Sequence, residues 1–331
     1  MSARATVAAM TAYTLELREA EIKLNQNESP FDFPLKDEVL ARVARRAWNR
    51  YPDFESSLLR EALAKAYGYA PGNVLVGNGS NELLAAAVGT FVGPGTPVVF
   101  AKPTFALYEK LVTIAGGLPV PVDVDFASGL LPLGEMTRAL ESLRDAVVIV
   151  CSPNNPTGSV LPESGIEQLL ATGATVLFDR AYGDFALDTL PPLHDRLVTF
   201  STFSKAWGLA ALRVGWLAST AATCREIRKV KLPYSLNIIS ETAAAVALEH
   251  RAMHDTNVTR IIAERERMLA AMRAMPDVTV FPTRANFIAF RSRVAFEDFL
   301  ERGILVRKYA DFLRVSVGTP AENDAFLEAL T

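Results

Sequence analysis

Short apolar runs alternate with segments of helical periodicity over the first two thirds of the chain. The runs are rich in β-branched and aromatic residues and predict strands at 73–76, 97–100, 118–122, 146–150, 175–178 and 197–200. Segments such as 136–144 and 162–171 show the 3.6-residue spacing of helices. Near-continuous apolar strands separated by helices are typical of a mostly parallel sheet covered on both faces. We therefore predict one large, doubly wound α/β domain over residues 35–237.

The pattern changes after residue 237. A long helical stretch, 238–275, precedes three strand-like runs at 278–281, 286–290 and 313–317. A helix followed by strands predicts a smaller α+β domain over residues 238–331. Residues 1–34 are expected to form an N-terminal arm and part of this smaller domain.

Composition narrows the class of protein. The 331 residues carry 34 Lys+Arg against 37 Asp+Glu, and half of them are hydrophobic, which excludes a disordered chain. A net charge of −3 argues against bulk electrostatic binding to nucleic acid or anionic lipid. Glycines and prolines interrupt the most apolar stretch, 83–101, so no membrane span is expected. With only Cys151 and Cys224, a disulfide scaffold is excluded and a reducing cytoplasm is predicted.

Two of the three histidines are spaced as a metal-binding pair could be. His250 and His254 lie four residues apart on a predicted helix. Two imidazoles need further donors to hold a metal. We therefore expect a solvated helix face here and no metal.

Polar side chains that could bind a ligand or take part in catalysis directly follow the predicted strands. Cys-Ser-Pro-Asn-Asn-Pro-Thr-Gly occupies 151–158, Asp-Arg-Ala-Tyr occupies 179–182 and Ser-Thr-Phe-Ser-Lys occupies 201–205. Ligands of open α/β sheets bind at the carboxyl ends of the strands. The glycine turn 77–82 opens a helix whose N-terminus can bind an anion. These segments predict one ligand site at the carboxyl edge of the sheet.

The order Asn-Pro-Thr-Gly, Asp-x-Ala-Tyr, Ser-x-Ser-Lys and an arginine eight residues further resembles the fold type I aminotransferases, which use pyridoxal 5′-phosphate (PLP). Within them the chain is most similar to the histidinol-phosphate aminotransferase family. That similarity is carried by 24–30, 51–53, 77–82, 103–105, 233–237 and 313–319. It spans nearly the whole chain and implies the PLP-dependent transferase fold type I, with a large doubly wound, mostly parallel sheet domain and a smaller α+β domain.

The resemblance also implies the catalytic residues. Lys205 is expected to bond to the cofactor aldehyde and later to move a proton at the substrate carbon. Asp179 is expected beside the ring nitrogen, where a buried carboxylate would keep that nitrogen protonated. Asn155 and Tyr182 are expected to donate hydrogen bonds to the phenolic oxygen of the ring.

The cofactor phosphate needs several donors. Phe105 is expected to stack on the cofactor ring, at a position where the family commonly has tyrosine. Tyr51 is expected to reach the phosphate from the partner subunit of a homodimer. The resemblance implies phosphate and cofactor contacts from Gly79, Ser80, Asn81, Thr202, Ser204 and Arg213.

Arg314 matches an arginine that holds a substrate anion. In most aminotransferases of this fold the anion is a carboxylate, whereas in the histidinol-phosphate branch it is expected to be a phosphate. Asn27, Glu28, Tyr51 and Asn155 complete the expected substrate set. The chain departs from the family at Ser29-Pro30-Phe31, where Asn-Pro-Tyr-Gly is more usual.

These expectations combine into one function. They predict a cytoplasmic, homodimeric PLP enzyme that performs transamination between histidinol phosphate and 2-oxoglutarate, giving imidazole acetol phosphate and glutamate, in histidine biosynthesis. Three alternatives stay open: an aromatic or broad-range amino acid aminotransferase, a PLP decarboxylase similar to threonine-phosphate decarboxylase, and a non-catalytic binding protein. Joint retention of Lys205, Asp179, Tyr182 and Arg213 disfavours the last.

Overall fold

A computed structural model describes residues 3–12 and 18–331 of the chain. Residues 1–2 and 13–17, which belong to the predicted N-terminal arm, lie outside the described residues.

The strands are β1 (Ile22–Lys23), β2 (Val74–Asn78), β3 (Pro97–Lys102), β4 (Leu118–Asp123), β5 (Val147–Cys151), β6 (Thr175–Asp179), β7 (Leu197–Thr202), β8 (Val214–Ala218), β9 (Thr279–Val280), β10 (Phe287–Arg291), β11 (Ile304–Leu305), β12 (Arg307–Lys308) and β13 (Leu313–Ser316).

The α-helices are α1 (Ala5–Ala8), α2 (Lys36–Val43), α3 (Ser57–Tyr67), α4 (Gly79–Phe91), α5 (Leu107–Ala115), α6 (Leu133–Glu141), α7 (Gly165–Ala171), α8 (Gly183–Ala186), α9 (Ala221–Val230), α10 (Ile238–Glu249), α11 (Arg251–Arg273), α12 (Phe296–Glu301) and α13 (Pro320–Ala329). Short 3₁₀ turns occupy Pro71–Asn73 and Ala210–Leu212.

Seven strands form the central sheet, in the order β2-β8-β7-β6-β5-β3-β4. Neighbours from β7 to β4 are parallel, while β8 is antiparallel to both β7 and β2. All strands except β8 therefore end at the same edge, and β8 begins there. This single reversal brings the segment before β8, rather than the one after it, to the carboxyl edge.

Helices cover both faces of the central sheet, as the apolar strands require. Phe100 packs on one face in a cluster with Leu83 and Val112 of α4 and α5. Its neighbour Val99 points to the other face and packs with Met136 of α6. Beyond these layers, β2 and β8 pack with α2, α3 and α10 in a further cluster. The predicted doubly wound, mostly parallel α/β architecture is confirmed.

A smaller four-stranded sheet, β12-β13-β10-β9, is antiparallel. Phe290 of β10 packs with Phe299 and Phe326, which lie on α12 and α13. Separately, β1 pairs in parallel with β11, so the N-terminal segment joins the C-terminal part of the chain. The bounds of the three predicted domains remain a prediction; α10, which follows residue 237, packs chiefly on α2 and α3.

Sequence reasoning missed one strand of the central sheet and merged two helices. Strand β8 was not predicted, because its short apolar run contains Gly215, a residue with low strand propensity. The helical stretch predicted over 238–275 is two helices, α10 and α11, separated at His250, whose backbone leaves the helical region at φ −107° and ψ 38°. Within the described ranges, no helix has the length and hydropathy needed to cross a membrane.

His254 does not lie on the solvated helix face that its spacing suggested. Its ring is 7% exposed and stacks on Trp207 with centroids 3.9 Å apart. Nε2 lies 3.3 Å from an Asp184 carboxylate oxygen, and Nδ1 lies 2.8 Å from an Asp255 oxygen. Burial opposes protonation, but the two carboxylates outweigh it and raise the pKa of the imidazole. His254 therefore links α11 to α8 through Asp184 and to the segment after β7 through Trp207.

His254→Gln is expected to destabilise the protein more at pH 6 than at pH 9. A histidine whose folded-state pKa is raised contributes stability below its unfolded pKa and loses that contribution as pH rises through the folded value. The free energy of unfolding should fall by about 1.5 kcal/mol more at pH 6 than at pH 9. This figure is the lower end of the range for hydrogen bonds to charged groups. Urea denaturation at both pH values measures it. The exposed His194→Gln serves as control, and an equal loss at both pH values would contradict a charged His254.

Candidate active site

A cavity of about 460 Å³ lies at the carboxyl edge of the central sheet. Strands β5, β6 and β7 end here at Cys151, Asp179 and Thr202, all of which line the cavity. The reversed β8 places Arg213, the residue before its start, at the same edge as the N-terminus of α4. Topology alone thus brings segments far apart in sequence into one site.

Lys205 projects into this cavity from the loop after β7. Its Nζ donates a hydrogen bond to the backbone carbonyl of Gln26 at 2.8 Å. Loss of water around the amine, followed by the positive charge of Arg314, lowers the pKa of Lys205 to about 8. A lysine in this state is a nucleophile and a base near neutral pH.

Asp179 is buried at the end of β6, with 6% of its surface exposed. One carboxylate oxygen accepts a hydrogen bond from the Tyr108 hydroxyl at 2.8 Å, and the other accepts from the Ala181 amide at 2.9 Å. Burial raises the pKa of the Asp179 carboxyl. A buried carboxyl of this kind becomes a carboxylate most readily beside a cationic donor. Its neighbour across the strands, Cys151, is a buried thiol whose pKa burial also raises.

The amides and phenols of the cavity form ordered hydrogen bonds. Asn27 Nδ2 donates to the Tyr182 hydroxyl at 3.0 Å. Asn155 Oδ1 accepts from a guanidinium nitrogen of Arg314. Burial raises the pKa of Tyr182, whereas Arg314 and the bond from Asn27 lower it. Tyr182 is therefore a neutral phenol that can donate its proton in a hydrogen bond.

An anion-binding corner is built where α4 begins. Ser80 and Asn81 line the cavity in the first turn of this 13-residue helix, where backbone N–H groups lack helical partners. Arg213 Nη1 donates to Ser204 Oγ at 3.2 Å, so a cation and a hydroxyl meet there. The backbones pack tightly: a Cβ on Gly215 would lie 2.1 Å from the Ser80 nitrogen.

A second cationic group lies on the smaller sheet. Arg314 of β13 is 4% exposed and donates to the carbonyl of Asn25 at 2.7 Å and to the hydroxyl of Tyr309 at 3.1 Å. Arg307 is the cross-strand partner of Arg314 and lines the same cavity. Two guanidinium groups near one wall favour an anionic part of a ligand.

The sequence model of the aminotransferase class I and II family matches residues 19–330 of the chain. The chain belongs to the class I and II aminotransferase family. It is 39% identical to the histidinol-phosphate aminotransferase of Thermococcus gammatolerans, over 93% of this chain and 91% of that protein. To the Pyrococcus furiosus enzyme of the same name it is 36% identical, with the same coverage. A crystal structure of the Sinorhizobium meliloti histidinol-phosphate aminotransferase, in complex with pyridoxal-5′-phosphate, superposes with a TM-score of 0.88 at 26% identity, covering 98% of this chain and 95% of that one.

These comparisons confirm the resemblance and the fold inferred from the motifs, while the roles of individual residues remain predictions. The structure brings most of the predicted site residues of this aminotransferase together around the cavity. Those that line it are Asn27, Glu28, Ser80, Asn81, Phe105, Asn155, Asp179, Tyr182, Thr202, Ser204, Lys205, Arg213 and Arg314.

Two predicted residues do not line the cavity. Gly79 adopts a positive φ of 75° behind it, where a Cβ would lie 2.7 Å from Arg213 Nη2. Tyr51 is 81% exposed and stacks on Tyr234 with ring centroids 4.7 Å apart. Within its own chain, Tyr51 therefore contributes nothing to this site.

Sequence reasoning missed several lining residues. Tyr108 follows Phe105 by three residues, and a turn closed by the bond from the Tyr108 amide to the Phe105 carbonyl at 3.0 Å brings both residues to the site. Arg307 is recognisable only through its register with Arg314, which is a property of the folded sheet. The Gln26 carbonyl is a backbone group that no side-chain motif marks.

The amine of Lys205 is expected to react with an acylating reagent with a pH midpoint of about 8. At that pH about half of the Lys205 amines are neutral, against under about 1% for an ordinary lysine of pKa ~10.4. Competitive acetylation of the cofactor-free protein, read by mass spectrometry, measures the midpoint. Lys205→Arg assigns the signal, and a midpoint above pH 10 would refute the lowered pKa.

Proposed function

We propose that this chain is a PLP-dependent histidinol-phosphate aminotransferase of histidine biosynthesis. The observation that carries the proposal is one cavity that combines a lysine amine of lowered pKa, a buried carboxyl and two separate cationic corners. The name borne by relatives up to 39% identical over most of the chain specifies the substrate. The expected reaction transfers an amino group between histidinol phosphate and 2-oxoglutarate.

The cavity fits PLP by its donor set. The α4 N-terminus, Ser204 and Arg213 suit a phosphate dianion, and Gly215 lets the α4 backbone approach without a clash. At the carboxyl end of β6, Asp179 suits a protonated ring nitrogen. Phe105 supplies an aromatic face among the lining residues. When bound, PLP would supply an aldehyde and an electron-withdrawing ring.

The chain's own residues would then perform the proton transfers. Lys205 Nζ, with a pKa of about 8, can take a proton from the substrate carbon that bears the amine and return it elsewhere. Asp179 would hold a proton on the ring nitrogen, and its bonds from Tyr108 and Ala181 fix the carboxylate plane. Asn155 and Tyr182 would donate to the phenolic oxygen. These residues work from fixed positions, so little reorganisation is needed.

The anion that Arg314 binds distinguishes the substrates. Histidinol phosphate carries a phosphate monoester, which can accept charge-assisted hydrogen bonds from both Arg314 and Arg307. An aromatic amino acid carries a carboxylate with half the charge. The pair of guanidinium groups on one wall favours the dianion, and therefore the phosphorylated substrate, over the alternative aminotransferase activities.

Arg314→Ala is expected to lower kcat/KM for histidinol phosphate about 10- to 100-fold, because a hydrogen bond to a charged group contributes ~1.5–3 kcal/mol. The loss for histidinol, which lacks the phosphate, should be about threefold or less. The measurement is conversion of the cofactor to its amine form when PLP-loaded enzyme is mixed with each amine. Arg307→Ala, tested in parallel, measures the contribution of the second guanidinium group to phosphate binding.

The same assay separates the alternatives. Faster conversion by phenylalanine than by histidinol phosphate would favour an aromatic aminotransferase, and CO₂ release from O-phosphothreonine would favour a decarboxylase. Equal losses for histidinol and histidinol phosphate in Arg314→Ala would show that Arg314 does not bind the phosphate. Lys205→Ala controls for conversion that does not need the enzyme's lysine.

A homodimer and a cytoplasmic location are part of the proposal. Tyr51 and Phe54 both contact Tyr234, and the three rings are exposed, which suits an interface between two copies of the chain. Phe54 is 53% and Tyr234 43% exposed, and Trp48 and Leu58, which are close to Tyr51 and Phe54 in sequence, are 71% and 54% exposed. The free, buried Cys151 and Cys224 suit a reducing compartment.

Mixing inactive Lys205→Ala with Tyr51→Ala subunits is expected to restore activity, if Tyr51 completes the partner's site. In a heterodimer, one site combines Lys205 and the partner's Tyr51, so about a quarter of all sites become intact after subunit exchange. Activity is measured after joint refolding or co-expression. No gain over the separate variants, with dimers verified by sedimentation, would overturn the role of Tyr51.

A further inference from the structure

Asn27 is held in an unusual backbone conformation. Its φ is +54°, in the left-handed region, and the residue is 1% exposed. Asparagine is among the few residues other than glycine that adopt this region at low cost. The conformation is thus compatible with the side chain, and the side chain is placed in the protein interior.

Ser316 of β13 and Asn286, the residue before β10, fix the position of Asn27. Its amide N–H donates to Ser316 Oγ at 2.8 Å, and Ser316 Oγ in turn donates to Asn27 Oδ1 at 3.2 Å. Asn286 Nδ2 donates to the Asn27 carbonyl at 3.1 Å. Ser316 lies two residues after Arg314 in β13. The position of Asn27 therefore follows that of the strand that carries the substrate-binding arginine.

The side-chain NH₂ group of Asn27 bonds outside the small sheet. Its Nδ2 donates to the Tyr182 hydroxyl at 3.0 Å, and both side chains are buried. An amide NH₂ can only donate, so the phenolic oxygen of Tyr182 is the acceptor in this bond. The hydroxyl proton of Tyr182 must then point to another acceptor, and Tyr182 lines the cavity.

We propose that Asn27 is a positioning residue, whose amide turns the Tyr182 hydroxyl into a donor aimed at the phenolic oxygen of the bound cofactor. This inference rests on the proposed PLP-dependent function. It differs from the substrate contact expected from the motif, because the Asn27 side chain bonds to Tyr182 and to Ser316. Asn155 is oriented in a similar way. Arg314 donates to its Oδ1, so the NH₂ group of Asn155 remains as the donor.

Asn27→Asp tests the inference with a side chain of the same shape. A carboxylate accepts only, so the Tyr182 hydroxyl would donate to it and withdraw from the cofactor. Loss of that donor favours protonation of the lysine-bound cofactor, so the pH midpoint of its visible absorbance should rise by about one unit. The rise should resemble that of Tyr182→Phe, with kcat about tenfold lower and KM changed less. Other charged or titratable groups near Tyr182 are Arg314, Lys205, Asp179 and Cys151, and all are retained.

Asn27→Gly distinguishes the effect of the side-chain amide from the effect of the backbone conformation. Glycine accepts a φ of +54° and keeps the backbone bonds to Ser316 and Asn286, so the fold should survive while the donor is lost. In the cofactor-free protein, the ¹³C resonance of Tyr182 Cζ, assigned through Tyr182→Phe, should move in both Asn27 variants. It should stay in place in Ser29→Ala, a matched change two residues away.

The outcomes are distinct. A raised midpoint in Asn27→Asp and Asn27→Gly, together with a displaced Tyr182 resonance, supports the inference. A wild-type midpoint in both variants, when Tyr182→Phe raises it, overturns the inference and leaves the proposed function intact. A wild-type protein that gives no visible band with PLP overturns both.

Discussion

Four consecutive carbonyl groups, those of residues 24–27, connect the N-terminal segment to the rest of the molecule. They accept, in turn, from the Ser316 amide at 2.8 Å, Arg314 at 2.7 Å, Lys205 at 2.8 Å and Asn286 at 3.1 Å. Buried or partly buried carbonyls need donors, and here most of the donors belong to the small sheet or to the site. The segment thus sets the distance between the two sheets across the cavity. Lys205, Arg314 and Tyr182 all depend on it for their placement.

The electrostatics of the cavity follow from this enclosure. Removing water lowers the pKa of Lys205 and raises those of Asp179 and Tyr182, so every one of these groups is shifted toward its neutral form. Arg314 adds to the effect on Lys205, because a like charge disfavours the ammonium. The same guanidinium binds three oxygen atoms of the chain, those of Asn25, Asn155 and Tyr309. One wall therefore stays cationic while the lysine opposite is free to react.

The sequence predicted the central sheet and most of the site because its signals are local. Apolar runs mark strands, and parallel strands bring their carboxyl ends to one edge, so residues after β5, β6 and β7 had to converge. Strand β8 escaped prediction since Gly215 weakens its strand pattern. That glycine is required where the Ser80 backbone approaches β8. The feature that obscured the strand is the one that makes the anion corner possible.

Contacts that depend on register or on the backbone could not be predicted in this way. Arg307 reaches the cavity through pairing with Arg314, and the role of Asn27 depends on a backbone angle that no motif specifies. The burial of His254 depends on Trp207, which is distant in sequence. In each case the sequence gives the residue type but not the residue that it contacts. Helix and strand periodicity fix which face a side chain occupies, whereas partners across the fold are fixed by packing between elements, and a catalytic site is assembled at such contacts.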